Sequence, residues 1–328
     1  MKGVSVVICC YNSSSRLPET IRYLSRQIVS DTIKWEVIIV NNASTDNTVE
    51  VAKREWDLYR PITPLIIIDQ PIPGLSYARE KGIEVSNYEY ILFCDDDNWL
   101  SWDYIEKGGR LLLENKEIVI LGGKGIAECE GDKPKWFDLI KEGTYAIGAE
   151  NRKTGYTHSV YGAGMFLRKD LFYYLKERNI KNLLSDRKEG KLSSGGDTEF
   201  CKIAELLGRR IWYQDDMEFT HFIPSSRLNW DYVKRLHCNF GEAECVLKIY
   251  YYIGLNLDGQ RGKGLFYQGE LLDSIKRIIK TFRVNLLLKR EGNKDFLVFL
   301  HNIYYFTKLI KLNKKFNRMV KVGVKKFK

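Results

Sequence analysis

A chain of 328 residues with 44% hydrophobic and 29% charged residues has the composition of a folded globular protein with a large core, not of a disordered or fibrous one. No run of about 18 uncharged apolar residues occurs, which excludes an ordinary membrane-spanning helix. Seven cysteines without a C-x-x-C pair argue against a disulfide framework or zinc site and for a reducing compartment. The net charge of +10 is uneven: residues 259–328 carry 18 lysines and arginines against four acids, a net of +14, so residues 1–258 carry −4.

Met1-Lys2-Gly3 leads directly into an apolar run, Val4 to Cys10, so no secretory leader is expected and this run is the first strand. The polar turn 11–15 leads into a helix over 16–29. Trp35 to Val40 reads as a buried strand that ends in Asn41-Asn42-Ala43-Ser44-Thr45-Asp46, with Asp46 as cap of the next helix, to Trp56. A third strand over Leu65 to Ile68 and a helix from Pro73-Gly74 to Val85 follow. Tyr90 to Cys94 is a fourth strand running straight into Asp95-Asp96-Asp97. Strands alternating with helices imply an α/β fold, a parallel sheet with helices on both faces. In such sheets ligands bind at the carboxyl ends of the strands, where all three polar clusters fall.

Three adjacent carboxylates repel one another and raise one another's pKa unless a cation sits among them. Hard carboxylate oxygens suit Mg²⁺ or Mn²⁺. A solvated acidic turn is the other reading of the triplet.

Further on, the pattern gives a helix to Lys116, a strand over 118–121 and a turn at Gly122, Gly123 and Gly125. No Lys-Ser/Thr follows these glycines, which excludes a phosphate loop. Residues 126–160 read as irregular, with Trp136-Phe137 as an apolar anchor. Tyr161 to Leu167 is a strand whose early glycines suit close backbone approach or a bulge. Asp170 caps a helix, Gly195-Gly196-Asp197 precedes another, and short strands over 210–213 and 218–222 lead to a helix from Trp230 to Tyr252.

Four blocks in order resemble the family 2 glycosyltransferases of GT-A fold: Val6-Val7-Ile8-Cys9-Cys10-Tyr11-Asn12, Ile39-Val40-Asn41-Asn42-Ala43-Ser44-Thr45-Asp46, Gly74-Leu75-Ser76-Tyr77-Ala78-Arg79 with Lys81-Gly82, and Phe93-Cys94-Asp95-Asp96-Asp97. The resemblance extends over about residues 3–245. It implies a Rossmann-like sheet flanked by helices, a nucleotide-sugar donor, Mn²⁺ or Mg²⁺, and inversion at the anomeric carbon. By that resemblance Asp97 binds the metal bridging the two phosphates, and Asp95 or Asp96 holds the ribose or assists the metal. Cys10, Tyr11, Asn12, Asn41 and Asn42 line the nucleotide, and Arg79 or Lys81 adds charge at the diphosphate. The family carries aspartates where this chain has Asn41-Asn42. An amide presents a different donor and acceptor pattern to the base. UDP is the first expectation, with dTDP and GDP open.

The family's general base falls on Asp197 in Gly195-Gly196-Asp197-Thr198-Glu199, with Glu199 as competitor. His221 is the third metal ligand, a diphosphate contact or a structural histidine. Arg227 is a further phosphate candidate, and Trp136, Trp230 and Tyr161 either stack on sugars or fill the core.

Domain limits follow: a donor half over 1–110, an acceptor and base half over 111–258, and a basic helical extension over 259–328. In the extension, apolar residues at 275, 278, 279 and 282 have helical spacing between lysines and arginines. Such a helix either lies on a membrane surface or packs as a subdomain with a solvated basic face. The first reading places the protein in the cytoplasm, peripheral at the membrane face, with a glycan or lipid-linked acceptor. Nucleic acid is not an expected partner, because no recognition module is visible and the acidic part repels phosphate. The other classes the sequence leaves open are a sugar nucleotidyltransferase and a non-catalytic glycan- or lipid-binding scaffold.

Overall fold

A computed structural model describes residues 1–145, 147, 152–184, 195–259, 266–285 and 291–328. Strands β1 (Val4–Cys10), β2 (Trp35–Asn41), β3 (Leu65–Asp69) and β4 (Tyr90–Cys94) alternate with helices α1 (Leu17–Ser25), α2 (Thr48–Tyr59) and α3 (Leu75–Val85). They pair in parallel in the order β3-β2-β1-β4. Alternate residues of β1 serve different layers. Val4, Val6 and Ile8 pack against α1 and α2 through Leu17, Ile21 and Ala52, whereas Val7 packs against α3 through Ala78 and Ile83. That division is why these strands read as unbroken apolar runs.

After β4 the chain makes β5 (Asn98–Leu100), α4 (Tyr104–Glu114), β6 (Ile118–Cys129), α5 (Phe137–Thr144), β7 (Gly155–Tyr156), β8 (Met165–Arg168), α6 (Lys169–Glu177), α7 (Gly196–Leu206) and β9 (Arg210–Ile223). The expected short strand at 118–121 continues to Cys129, and the two expected strands at 210–213 and 218–222 are one. The stretch expected to be irregular contains α5. Asp170 does not cap α6: the cap position is Arg168, and Asp170 lies in the first turn.

β8 runs antiparallel to β4 and to β6, and β9 runs parallel to β6. Two reversals restore the direction, so β9 ends on the same edge of the sheet as β1, β2 and β4. Because β8 is reversed, the residues that precede it also lie on that edge. The triplet after β4, the turn before β8 and the end of β9 are thereby brought together by topology alone.

The last described elements are α8 (Trp230–Leu257), α9 (Phe266–Asn285), α10 (Lys294–Leu312) and α11 (Lys314–Phe327). α10 and α11 pack on α8 and α9. Tyr305, Leu309, Phe316 and Val320 are at most 1% exposed and join the core that also holds Ile249 and Ile253 of α8. Burying each such side chain contributes about 1.5–3 kcal/mol. The buried Glu270 accepts hydrogen bonds from the Tyr252 and Tyr305 hydroxyls, both 2.6 Å. The extension is therefore packed through one side and not a free tail. Among the described residues no helix is long and apolar enough to cross a membrane.

Candidate active site

At the end of β4 the three aspartates have different surroundings. Asp97 is 4% exposed. Its Oδ2 accepts from Arg227 Nη1 at 3.1 Å, and its Oδ1 lies 3.7 Å from His221 Nε2. Burial alone would raise its pKa, but the His221 and Arg227 charges hold it well below the usual carboxylate range. Asp96 turns the other way and accepts from Arg16 Nη2 at 2.5 Å. Burial and the neighbouring Asp97 charge push its carboxyl up against the opposing pull of Arg16. Asp95 is half-buried; its backbone oxygen accepts from Asn98 N at 3.1 Å, and its charge contributes to the field at His221.

His221 faces Asp97 because Asn98 is paired with His221 across β5 and β9, and Phe222 N donates to Asp97 O at 2.9 Å. Its Nδ1 lies 2.6 Å from the Tyr145 carbonyl. A carbonyl only accepts, so Nδ1 carries the proton and Nε2 is the atom directed at Asp97. Tyr145 also donates its hydroxyl to the Arg227 carbonyl at 2.9 Å and stacks between Phe137 and Tyr232. It sets the position of both groups that face Asp97.

The second part of the edge is built on α7. Asp197 Oδ2 accepts from Gly162 N at 2.7 Å and its Oδ1 from Thr198 N at 2.8 Å. Asp197 is in the first turn of α7, while Gly195 is the cap. A Cβ at Gly162 would come within 3.1 Å of both Asp197 Cβ and Arg79 Nη2. Arg79 therefore lies beside Asp197, with its guanidinium 4.9 Å over the Phe93 ring. Gly162→Ala should displace this pair and lower the turnover of transfer by about tenfold to a hundredfold, with the melting temperature little changed; wild-type turnover would show that the close approach is not needed.

Glu199 does not share the site. It is fully buried, accepts from the Tyr250 hydroxyl at 2.6 Å, and receives the Leu183 and Leu184 amides. Burial raises its carboxyl despite these bonds. Glu199→Ala should cost about 3 kcal/mol by leaving those donors unpaired, read as a fall in melting temperature with activity per folded molecule retained. An unchanged melting temperature would contradict this structural assignment.

At the nucleotide end, the Cys10 side chain is buried in the core and its carbonyl accepts from Asn42 N at 2.8 Å, so the thiol is not at the surface of the cleft. Asn42 is fully used: its Nδ2 donates to Gln70 O and Ile72 O, and its Oδ1 accepts from Gly74 N. It fixes the loop before α3. Asn41 Nδ2 donates to Asp69 Oδ1 at 2.8 Å, which brings an exposed carboxylate to the end of β3. Asn12 Oδ1 accepts from Thr45 N, and Tyr11 is 37% exposed above it in sequence. Asp46 accepts from Thr48 N at the start of α2. Trp136 and Trp230 pack on each other in the core, each 6% exposed, and do not present a face to a sugar.

Among the described residues no three His, Cys, Asp or Glu side chains are arranged to hold a metal by themselves. Asp97 Oδ1 and His221 Nε2 lie 3.7 Å apart, with the Asp95 charge acting on His221. With substrate phosphates and water completing the shell, an oxygen and nitrogen pair suits Mn²⁺ more readily than Mg²⁺.

The fold and this carboxylate-rich edge define a GT-A glycosyltransferase. The profile described as "Glycosyl transferase family 2" matches residues 5–175, and the chain belongs to that family. The matched region includes Asp95 to Asp97 and Gly162 but ends before Asp197 and His221. A glucosyl-dolichyl phosphate glucuronosyltransferase of Haloferax volcanii is 24% identical over 238 residues, covering 70% of this chain and 72% of that protein. A cholesterol galactosyltransferase of Borreliella burgdorferi is 31% identical over 118 residues, covering 35% of this chain and 31% of that one. In structure, the chain is similar to a mannosyltransferase from Pyrobaculum calidifontis in complex with GDP-Man and Mn²⁺, with a TM-score of 0.50 and 14% identity over 98% of this chain and 73% of that chain.

Proposed function

We propose that the protein transfers a sugar, with inversion, from a nucleoside diphosphate sugar to a hydroxyl of a glycan or lipid-linked acceptor in polysaccharide or glycoconjugate synthesis. The observation that carries this reading is one sheet edge with two chemically distinct ends. Asp97, Asp95, His221 and Arg227 form the end suited to a metal and diphosphate. Asp197, fixed by two backbone amides beside Arg79, forms the end suited to the acceptor.

In this reading the acceptor oxygen gives its proton to Asp197 as it bonds to the anomeric carbon, while the bond from that carbon to the diphosphate breaks. Bound Mn²⁺ or Mg²⁺, held by Asp97 with Asp95 and His221, supplies positive charge where the leaving diphosphate gains negative charge. Arg227 shares Asp97 before the donor binds and is placed to contact a phosphate afterwards. Asn41 holds Asp69 at the base end, so a carboxylate is available there although Asn41 and Asn42 are amides. UDP stays our first choice of donor nucleotide; a carboxylate at that edge accepts from the ring N–H of uracil, and equally from that of thymine or guanine, so the donor screen decides among them.

The lipid-linked acceptor is supported by the charge of residues 259–328 and by the dolichyl-phosphate and cholesterol substrates in the names of the two relatives. It places the enzyme peripherally at the cytoplasmic face of a membrane. A sugar nucleotidyltransferase is disfavoured because residues 11–15, Tyr-Asn-Ser-Ser-Ser, contain no glycine or lysine. A screen of UDP-, GDP- and dTDP-sugars with Mn²⁺ and Mg²⁺ tests the reading by melting shift and product. Release of nucleoside diphosphate supports transfer; release of pyrophosphate, or no response to any donor, overturns it.

A further inference from the structure

One side of α9 packs on the rest of the molecule and another stays outside. Phe266 and Ser274 are buried against the rest of the molecule with Glu270. Leu272, Ile275, Ile279 and Phe282, spaced by three, four and three residues, form a second row that stays outside, 60%, 38%, 56% and 54% exposed. Single exposed leucines are ordinary, but four large apolar side chains in one helical row are not. The row continues onto α10, where Phe299 meets Phe282 at 6.1 Å between ring centres and Val298 is 47% exposed.

Charge decides what would cover this face. Lys276 and Lys280, both exposed, lie between the apolar residues along α9, Lys276 with the exposed Asp273 at 3.6 Å and Lys280 with no acid on its own turn. On α11 the solvent face is Lys315, Arg318, Lys321 and Lys325. The segment's net charge is +14. A second copy would bring the same cationic segment against itself, whereas an anionic bilayer accepts apolar side chains at the acyl boundary and attracts lysines at its surface.

The geometry points to the outer row of α9 as a docking surface for an anionic lipid bilayer, entered by Leu272, Ile275, Ile279 and Phe282 and held by Lys276 and Lys280. This deepens the membrane contact read above by naming the surface, and it rests on that reading. It needs neither packing change nor spanning helix.

Flotation of the full chain with phosphatidylcholine vesicles, with and without phosphatidylglycerol, tests it. The wild type should float with the anionic vesicles only, and less so at high salt. Ile275→Ser with Ile279→Ser should weaken binding by about tenfold or more, and Lys276→Glu with Lys280→Glu should abolish it. Both variants change exposed side chains and should keep the wild-type melting temperature. No binding by the wild type, or wild-type binding by the serine variant, overturns the proposal. So does a wild-type dimer in light scattering that the serine variant makes monomeric without any vesicle binding, which assigns the row to a second copy. Donor hydrolysis measured without vesicles reads the transfer reaction separately: its absence alongside intact flotation would sink the transfer reading and leave the docking surface standing.

Discussion

Asp97→Asn should lower sugar transfer by about a thousandfold or more while leaving the chain folded. The reason is the position of the carboxylate. Asp97 is almost completely buried, with Arg227 on one oxygen and His221 facing the other. It is the negative charge toward which Arg227 and His221 are turned, while Arg16 pairs with Asp96. Asparagine keeps the shape and an oxygen for Arg227 but removes the charge that a metal and His221 require. Asp97→Ala is the harsher change, because it leaves the mostly buried Arg227 without its carboxylate. Breaking one side of a buried ion pair costs about 3–5 kcal/mol. Arg227→Met combined with Asp97→Ala should recover part of that stability and none of the activity, a non-additive pair that melting curves and single-turnover assays can read side by side. Transfer near the wild-type rate by Asp97→Asn at saturating Mn²⁺ would remove Asp97 from the reaction.

The first four strands were legible because each is a short apolar run ending in polar residues, and buried parallel strands need little else. The second half was harder for identifiable reasons. Gly122, Gly123 and Gly125 look like a turn, yet β6 passes through them; at Gly123 a side chain would collide with the Met217 carbonyl and the Tyr104 ring. Gln214, Asp215 and Asp216 interrupt the apolar alternation of β9, but a register shift opposite, between Gly122 and Lys124, leaves Asp215 and Asp216 exposed without ending the strand. The helix α5 is short and lies between stretches without clear periodicity.

At the site, the aspartate triplet, Asp197 and His221 carry chemistry in their side chains and stand beside strand or helix ends, so sequence could single them out. Tyr145 could not be found that way, because it orients His221 through a backbone carbonyl 76 residues away in the chain. Arg16 was missed because its partner Asp96 is 80 residues distant. Asp69 carries no sequence signal of its own; only the pairing of β2 with β3 puts it beside Asn41. Asn42 shows the converse. It stands where a ligand contact was expected and spends its whole amide on the loop before α3.

Asp197→Asn should lower the turnover number of transfer by about a hundredfold to ten thousandfold and leave donor affinity unchanged. The two ends of the site have separate supports, which makes this separation testable. Asp197 is held from α7 and the turn before β8, whereas Asp97 and His221 are held from β4 and β9. An amide at position 197 has one oxygen where the carboxylate has two, so it keeps the bond from Gly162 N or the one from Thr198 N and turns its NH2 toward the other, a change confined to this end of the site. What it loses is a site for the acceptor's proton. The variant should therefore bind the nucleotide-sugar donor with the wild-type melting shift. A general base also predicts which substrates suffer. Acceptors with more acidic hydroxyls need less help, so the variant's deficit should shrink as acceptor acidity rises. A deficit that is equal for all acceptors, or that appears in donor affinity instead of turnover, would assign Asp197 to binding and leave the base to be sought elsewhere on the same edge.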